Sequence, residues 1–492
     1  MHIQPTSTST HCQRRQAVLS RREALAQAGS GLGAIALGAL LARDGALAAP
    51  PLHNTAASAI NPLAPRSPHF PAKAQRVISL FMQGGPAQMD SFDPKPELAR
   101  LDGQPLPASF QAADLKLQFM SAAGANLMGS PFPFRRHGES GLEISDLFPR
   151  IAQHADQLAV IRSCYHESFI HGPALSMMHS GNLLLGHPSV GSWVVSGLGS
   201  ESDNLPAFIV MTDGVIRGSS SAYSSGFLPA VYQGTLIRAE GAPIQNLALP
   251  AELNRLQQRA LLDQIGRWNQ THLAARSDDS NLAARIANYE LAFRMQAAAP
   301  ELIDLKQETQ ATLDRYGVGG GAADRFGRMC LLARRMVERG VRFVELYSND
   351  WDGHGDCPGN HRSNAEKTDQ PIAALLADLA ERGLLDSTLV LWTGEFGRTP
   401  VMQGNKGRDH NPYGFTAWLA GGGVQGGKAI GATDELGFRA VEDRVHVHDL
   451  HATMLSLLGL DHERLTYLFE GRLRRLTDVG GQNNLAQRLS RA

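Results

Sequence analysis

The chain has 492 residues, of which 43% are hydrophobic and 19% are charged, so it carries ample apolar material for a globular core. This composition excludes a disordered or fibrous chain. The formal net charge of -1 lacks the basic footprint of a nucleic-acid-binding protein, and no nucleic-acid partner is expected.

The first 48 residues are typical of a twin-arginine export signal. Arg21 and Arg22 precede a weakly apolar run at 31–41, and small residues suited to cleavage follow at 46–48. That run is too short and too rich in glycine and alanine for a stable membrane span, and no later stretch approaches 18 apolar residues. We therefore expect a periplasmic or otherwise exported protein without a membrane span. Residues 49–73 are rich in proline, alanine and serine and predict an extended lead-in segment.

From residue 74 to the end, short apolar runs alternate with amphipathic helical patterns. Such alternation predicts an α/β fold, a three-layer sandwich with a mostly parallel central sheet. Helical spacing is nearly continuous over about 251–316, which predicts a helical insertion. The runs predicted as strands are 77–82, 157–168, 206–211, 341–347, 388–400 and the run that begins at 415.

Acids, arginines and histidines cluster at the ends of three predicted strands, two clusters following a strand and the third lying in the loop before another. Because the carboxyl ends of parallel strands meet in one crevice, these side chains are expected to share a site. Carboxylate oxygens and neutral imidazoles are common ligands of zinc, manganese and calcium, so the pattern favours a divalent-metal site. In chain order the clusters contain Asp350, Asp352, His354 and Asp356; Glu395 and Arg398; and Arg408, Asp409 and His410.

These motifs resemble a sulfatase-like, twin-arginine-exported bacterial family of unknown function in the alkaline phosphatase superfamily, over nearly the whole mature chain. One metal site of that superfamily takes an Asp, a His four residues later and a late His. The resemblance therefore implies that Asp350, His354 and His410 bind the ion, whereas Asp352 orients or caps. Zinc is the expected metal, with calcium and manganese as alternatives.

A second metal site of the superfamily takes an early Asp and an Asp-His pair. Asp90 or Asp93 matches the early Asp, but Glu395 and Phe396 stand where the pair is expected. Glu395 remains a candidate ligand, while the imidazole is missing. The resemblance therefore implies one metal site rather than two.

The segment HGPALSMMHSG at 171–181 resembles the sulfatase nucleophile motif in its proline and its terminal Ser-Gly. His171 stands at the nucleophile position, so no cysteine is present for conversion to formylglycine, and chemistry of that type is not expected. A histidine there can attack phosphorus, act as acid or base, or bind the metal. Ser168 and Ser176 are the alternative nucleophiles.

Arg398 and Arg408 are candidates for clamping an anionic oxygen of the substrate. A guanidinium group can hold such an oxygen through two parallel hydrogen bonds. The alternative is that both arginines pair with Asp409 and Glu395.

Two functions follow from these features. The first is a metal-dependent hydrolase of a phosphate or sulfate ester, acting on a small molecule or a glycan. The second is a non-catalytic, metal-bearing binding or scaffold protein on a degenerate hydrolase fold. The sequence specifies no protein partner. Three cysteines remain after the leader, without CxxC spacing, so no disulfide framework is expected.

Overall fold

The computed structural model describes residues 62–108, 110, 116–119, 121, 125–238, 249, 253–274 and 280–490. The predicted export signal and residues 49–61 of the lead-in segment lie outside the described residues. The chain divides into two compact units. Among the described residues, 249 and 253–274 belong to the smaller unit, and the others belong to the larger unit.

Strands and helices alternate along the described part of the chain. The strands are β1 Arg76–Met82, β2 Phe134–His137, β3 Leu142–Ser145, β4 Ala159–Tyr165, β5 Phe208–Thr212, β6 Thr235–Arg238, β7 Phe343–Ser348, β8 Thr388–Thr393, β9 Gly397–Gln403, β10 Gly407–Asn411, β11 Phe415–Gly421, β12 Lys428–Ile430, β13 Ala432–Thr433, β14 Ala440–Glu442, β15 Val445–His446, β16 Tyr467–Phe469 and β17 Arg472–Arg474. The α-helices are α1 Gln88–Ser91, α2 Pro96–Arg100, α3 His171–Ser180, α4 Val190–Leu198, α5 Arg255–Ala274, α6 Ser280–Ile303, α7 Gln310–Arg315, α8 Asp324–Glu338, α9 Cys357–Glu381, α10 Val447–Leu457 and α11 Ala486–Leu489.

A nine-stranded sheet lies in the larger unit. Its order is β12-β4-β11-β8-β1-β7-β5-β6, and β15 also pairs with β4. All of its pairings are parallel except those of β11, which is antiparallel to β4 and to β8. The predicted α/β fold with a mostly parallel sheet is confirmed.

Helices cover both faces of this sheet. Side chains of a strand alternate between its two faces. Ile78 and Leu80 of β1 therefore pack in one core with α8 and α9, whereas Val77 and Phe81 pack in a second core with α3, α4 and α10. Because both faces are buried, the strands are apolar throughout, which made them recognisable in the sequence.

The helix that leads into β8 is longer than the apolar pattern at 372–385 indicates. It begins at Cys357, because Asp356 caps it by accepting a hydrogen bond from the Gly359 amide, and it continues through Pro371. Strands β7 and β8 are not direct neighbours in the sheet, because β1 lies between them and pairs with both.

Within 251–316, the described α-helices are α5, α6 and α7. Helix α5 is the described helix of the smaller unit, and α6 and α7 belong to the larger unit. Among the described helices, none is both long enough and apolar enough to cross a membrane.

Candidate metal centre

The loops that follow five parallel strands all lie at one edge of the sheet. These strands are β1, β4, β5, β7 and β8, which all run in the same direction. The loops that follow contribute Gly84, His171, Arg217, Asp352 and Glu395, which contact one another. The site therefore lies at the carboxyl ends of the strands, as expected for an open α/β sheet.

Four side chains form a group that could hold a metal ion. They are His171, Asp352, His354 and His410, and their ligand atoms all lie within 4.8 Å of one another. Asp352 Oδ1 is 2.9 Å from His354 Nε2 and 3.1 Å from His410 Nε2, and the two nitrogens are 2.9 Å apart. A tetrahedral zinc ion with bonds of about 2.0–2.1 Å holds its ligand atoms roughly 3.3 Å apart, so this spacing fits an ion.

The protonation of the two histidines also fits a cation. His410 Nδ1 lies 2.8 Å from the carbonyl oxygen of Phe169, and since a carbonyl only accepts, Nδ1 carries the proton. Burial lowers the pKa of His410 to about 4, so the ring is neutral and its Nε2 has a lone pair. His354 Nδ1 likewise donates to Gln403 Oε1 at 2.6 Å. The Nε2 atoms of both rings thus face Asp352 Oδ1 and each other, an arrangement that suits a bound cation.

His171 occupies the first position of helix α3, beside these ligand atoms. Its Nδ1 lies 2.7 Å from Glu395 Oε1, and its Nε2 lies 3.1 Å from Asp352 Oδ2 and 2.7 Å from Arg217 Nη1. Burial lowers the pKa of His171, but the hydrogen bonds to Asp352 and Glu395 outweigh it, and the pKa is raised. The structure therefore places an imidazole that can hold or release a proton at the predicted nucleophile position.

Glu395 is fully buried behind His171. Its two carboxylate oxygens accept from the Gly84 amide at 2.9 and 3.0 Å. Burial raises the pKa of Glu395, but the hydrogen bond and charge of His171 outweigh it, so the carboxyl stays ionised. Glu395 thus contacts His171 and is not a member of the four-residue group.

Asp352 is the acid at the middle of the group, and Asp350 lies outside it. The sequence prediction had chosen Asp350 as the ligand and Asp352 as the orienting residue. Asp350 is exposed with a φ of 73°, and its carbonyl accepts from Asn360 and Asn364. Tight turns follow, in which the Gly353 amide donates to the Trp351 carbonyl at 3.1 Å. This path brings Asp352 and His354, two residues apart, to the same point.

Asp352 stays ionised because of its partners. Burial raises the pKa of this carboxyl, but the hydrogen bond from His171 and the charge of Arg398 hold it well below its usual value. Arg398 Nη2 donates to Asp352 Oδ1 at 2.7 Å, and its other donors reach main-chain carbonyls. Arg398 is completely buried. It therefore holds Asp352 in place, which differs from the predicted clamp on a substrate oxygen.

Asp90 and Arg408 form a buried ion pair with each other, and neither is a member of the four-residue group. Arg408 Nε and Nη2 each lie 3.1 Å from a different oxygen of Asp90, and both side chains are fully buried. The remaining donors of Arg408 bond main-chain carbonyls of 128–129 and 399. The structure thus gives Asp90 a guanidinium partner where the sequence suggested a metal, and Arg408 does not reach the site.

The alternative nucleophiles and the cysteines are not members of the four-residue group. Ser168 Oγ donates to the Ile170 carbonyl at 3.2 Å, and Ser176 Oγ donates to the Leu184 carbonyl at 3.2 Å. Cys164, Cys330 and Cys357 are buried free thiols.

Arg217 carried no signal in the sequence, and Phe396 was noted only as the residue in place of the expected histidine. Arg217 Nη1 donates to Asp352 Oδ2 at 2.8 Å from a loop without a motif. Phe396 stacks on His410 with ring centroids 4.3 Å apart and also contacts His171 at 5.0 Å. Phe396 marks the place of the missing histidine, and the structure shows that its ring fills space beside the metal group.

The chain belongs to a protein family whose function is not known. The family described as "Protein of unknown function (DUF1501)" matches residues 74–487. This match agrees with the resemblance seen in the sequence to a family of unknown function. No curated protein matches the chain.

The chain is also remotely similar to several solved structures. One is the lipoteichoic acid synthase LtaP from Listeria monocytogenes, with 9% identity, a TM-score of 0.37, and coverage of 81% of this chain and 76% of that chain. A second is a protein in the alkaline phosphatase superfamily from Vibrio parahaemolyticus, with 10% identity, a TM-score of 0.36, and coverage of 86% and 75%. A third is the PsFucS1 sulfatase from Pseudoalteromonas sp., with 13% identity, a TM-score of 0.33, and coverage of 87% and 72%. At this level the likeness concerns the fold alone.

Proposed function

We propose that the protein is a divalent-metal-dependent hydrolase of phosphate or sulfate esters. The observation that carries the proposal is the convergence of Asp352 Oδ1 with the Nε2 atoms of His354 and His410, next to a protonatable imidazole at His171. A divalent ion held by these residues supplies positive charge for an anionic ester and favours deprotonation of water. Zinc suits the nitrogen-rich donor set, with manganese and calcium as alternatives.

His171 is the residue that we assign to proton transfer or nucleophilic attack. Glu395 accepts from Nδ1 and fixes the ring, so Nε2 points at Asp352 and Arg217. An imidazole oriented by a carboxylate in this way can act as general acid or base, or attack phosphorus directly. Arg217 is the cation suited to a substrate oxygen, because its side chain is 36% exposed whereas Arg398 is buried.

Metal content and ester turnover test this function together. The purified protein is expected to retain a divalent metal and to hydrolyse aryl phosphate or aryl sulfate. His354→Ala and His410→Ala should lose both, whereas His171→Ala should lower turnover by at least about a hundredfold, the usual contribution of an acid or base. His137→Ala, on the hairpin formed by β2 and β3, is the control. Unchanged metal stoichiometry in both His354→Ala and His410→Ala would overturn the proposal.

A second candidate is a non-catalytic, metal-bearing binding or scaffold protein. The observation that favours it is the buried ion pair between Asp90 and Arg408, which leaves the early Asp of the superfamily's second site without a metal. A parent protein that holds one metal but turns over neither aryl phosphates nor aryl sulfates would favour this candidate.

We also propose that the protein is exported by the twin-arginine pathway. The proposal is supported by the order of Arg21-Arg22, the apolar run and the small residues at 46–48. Replacement of both arginines by lysine should leave precursor in the cytoplasm, detected by fractionation and immunoblotting. Unchanged export of the double variant would contradict it.

A further inference from the structure

A cavity of about 460 Å³ adjoins the candidate metal centre. Ligand-binding cavities commonly have volumes of about 300–1,000 Å³, so this one is large enough for part of a substrate. Most of its lining is polar or charged. The lining includes Gln83, Asp213, Arg217, Arg325, Asn349 and Lys367.

Arg217 belongs to both the cavity and the metal centre. Its Nη1 lies 2.7 Å from His171 Nε2 and 2.8 Å from Asp352 Oδ2, while the same residue lines the cavity. Gln83, which is buried, fixes this loop because its Oε1 accepts from the Arg217 amide at 2.9 Å and its Nε2 donates to the Val215 carbonyl at 3.0 Å. The cavity therefore lies next to the side chain that contacts both His171 and Asp352.

The charge of the lining favours an anion. Three cations face the cavity from three separate elements: Arg217 from the loop after β5, Arg325 from α8 and Lys367 from α9. Two acids also line it, Asp213 and Asp350. Asp213 Oδ1 accepts from the amide of Asn349 at 2.9 Å and from its Nδ2 at 2.7 Å, and Asp213 also interacts electrostatically with Lys367 and Arg325, so the lining keeps one net positive charge.

We infer that this cavity binds a second anionic group of the substrate, a carboxylate, phosphate or sulfate on the part of the molecule beyond the reacting ester. The inference rests on the proposed function and narrows its substrate class to esters with at least two negative groups. Arg217 contacts the reacting end, and Arg325 and Lys367 attract the distant anion. Arg325 and Lys367 lie on helices, and Arg217 lies on a loop that Gln83 holds in place. The distance between these cations is therefore set by the fold, and the two anionic groups of the substrate must match it.

Turnover of two matched esters tests the inference. The substrates are a phenyl phosphate or sulfate and the same ester with a carboxylate on the ring. The parent should show a lower KM for the carboxylated ester. Lys367→Gln and Arg325→Gln should each raise the KM for the carboxylated ester about fivefold, the upper range for a partly solvated charge pair. Each variant should therefore reduce the ratio of the KM of the plain ester to the KM of the carboxylated ester. Added salt should reduce the same ratio.

A matched control and a binding measurement separate this inference from the proposed function. Lys306→Gln removes an exposed lysine that does not line the cavity, and the KM ratio should stay at the parent value. Calorimetry with benzene-1,3-disulfonate and benzenesulfonate requires no turnover. Tighter binding of the disulfonate that is lost in Lys367→Gln supports the cavity even if no ester is hydrolysed. Equal binding of both probes, or a preference unchanged in Lys367→Gln and Arg325→Gln, would overturn it.

Discussion

Asp352 meets five side chains through two carboxylate oxygens. Oδ1 faces two imidazole nitrogens and one guanidinium group, and Oδ2 faces one of each. In Asp352→Asn, an amide nitrogen replaces one of these oxygens. The new donor then faces side chains that are themselves donors or that are candidate metal ligands. The partners are His354, His410 and Arg398 for Oδ1, and His171 and Arg217 for Oδ2.

Asp352→Asn and Asp350→Asn form a matched pair that tests which acid binds the metal. We expect Asp352→Asn to weaken metal affinity by more than about a hundredfold, because even residues that only orient a ligand contribute about 10–100-fold. Asp350→Asn should keep the parent affinity, since Asp350 is exposed and outside the group. Metal titration with a competing chelator measures both. Loss of affinity in Asp350→Asn alone would restore the assignment made from the sequence.

The sequence allowed prediction of a metal site after β7 but not of the acid that belongs to it. The choice depends on the positive φ of Asp350 and on the turn hydrogen bonds at 351–354, which residue types alone do not dictate. Arg217 was missed for a similar reason. Its role comes from the position of a loop between β5 and β6, and no local motif accompanies it.

The loop after β1 closely approaches the main chain of Trp351 and Asp352, in the loop after β7. Gly84 has a φ of +118°, and a Cβ at this position would lie 2.5 Å from the Asp352 amide nitrogen and 2.7 Å from the Trp351 carbonyl carbon. The loop therefore tolerates only glycine at this point.

Gly84→Ala should damage the metal centre, whereas Gly319→Ala should not. Both glycines have similar φ values, +118° and +126°, but nothing lies within 4 Å of a Cβ at Gly319. Gly319→Ala should lower the free energy of unfolding by about 1–2 kcal/mol through backbone strain alone. Gly84→Ala should add displacement of Asp352 and a loss of metal affinity. Calorimetry and metal titration on both variants provide the check, and equal metal affinity in the two would refute it.

Helices α3 and α10 are joined by a neutral, buried histidine. His451 Nε2 donates to the Met178 carbonyl at 2.8 Å. Burial lowers the pKa of His451 to about 3, and the neighbouring histidines 448, 179 and 446 add to this. The unfolded chain, with a pKa near 6.5, therefore binds a proton that the folded protein excludes.

This excluded proton predicts a loss of stability in acid. The contribution of His451 is present above about pH 6.5 and falls by about 1.4 kcal/mol per pH unit below it, down to the folded pKa. His451→Gln keeps a donor but does not titrate. The stability difference between parent and variant should shrink by about 2 kcal/mol from pH 6.5 to pH 5. Denaturant unfolding at both pH values measures it, and parallel pH profiles would be the contrary result.

For the whole molecule, metal binding should appear as thermal stability. An ion that binds only the folded chain stabilises it by about 2.7 kcal/mol at a hundred times its dissociation constant. Zinc should therefore raise the melting temperature of the metal-free parent, and a chelator should reverse the change. His410→Ala should show no zinc-dependent shift, with His137→Ala behaving as the parent. A shift of parental size in His410→Ala would exclude the proposed ligand set.

The overall fold was more predictable than its strand order. Apolar strands and amphipathic helices indicate a layered fold. A strand buried on both faces is a continuous apolar run, whereas a helix buried on one face has apolar residues every three or four positions. The direction of β11 and the position of β1 between β7 and β8 leave no such trace. An apolar run reads the same in either direction, and pairing depends on contacts distant in sequence.

The two buried arginines have a consequence for the order of folding. Arg398 bonds the carbonyls of Gly84 and Gly85, and Arg408 bonds those of Met128 and Gly129. A guanidinium group is costly to bury before such partners are in place. The hairpin of β9 and β10 and both of these loops should therefore dock in one cooperative step. Their amides should exchange with solvent deuterium at a common rate, as a single unfolding unit.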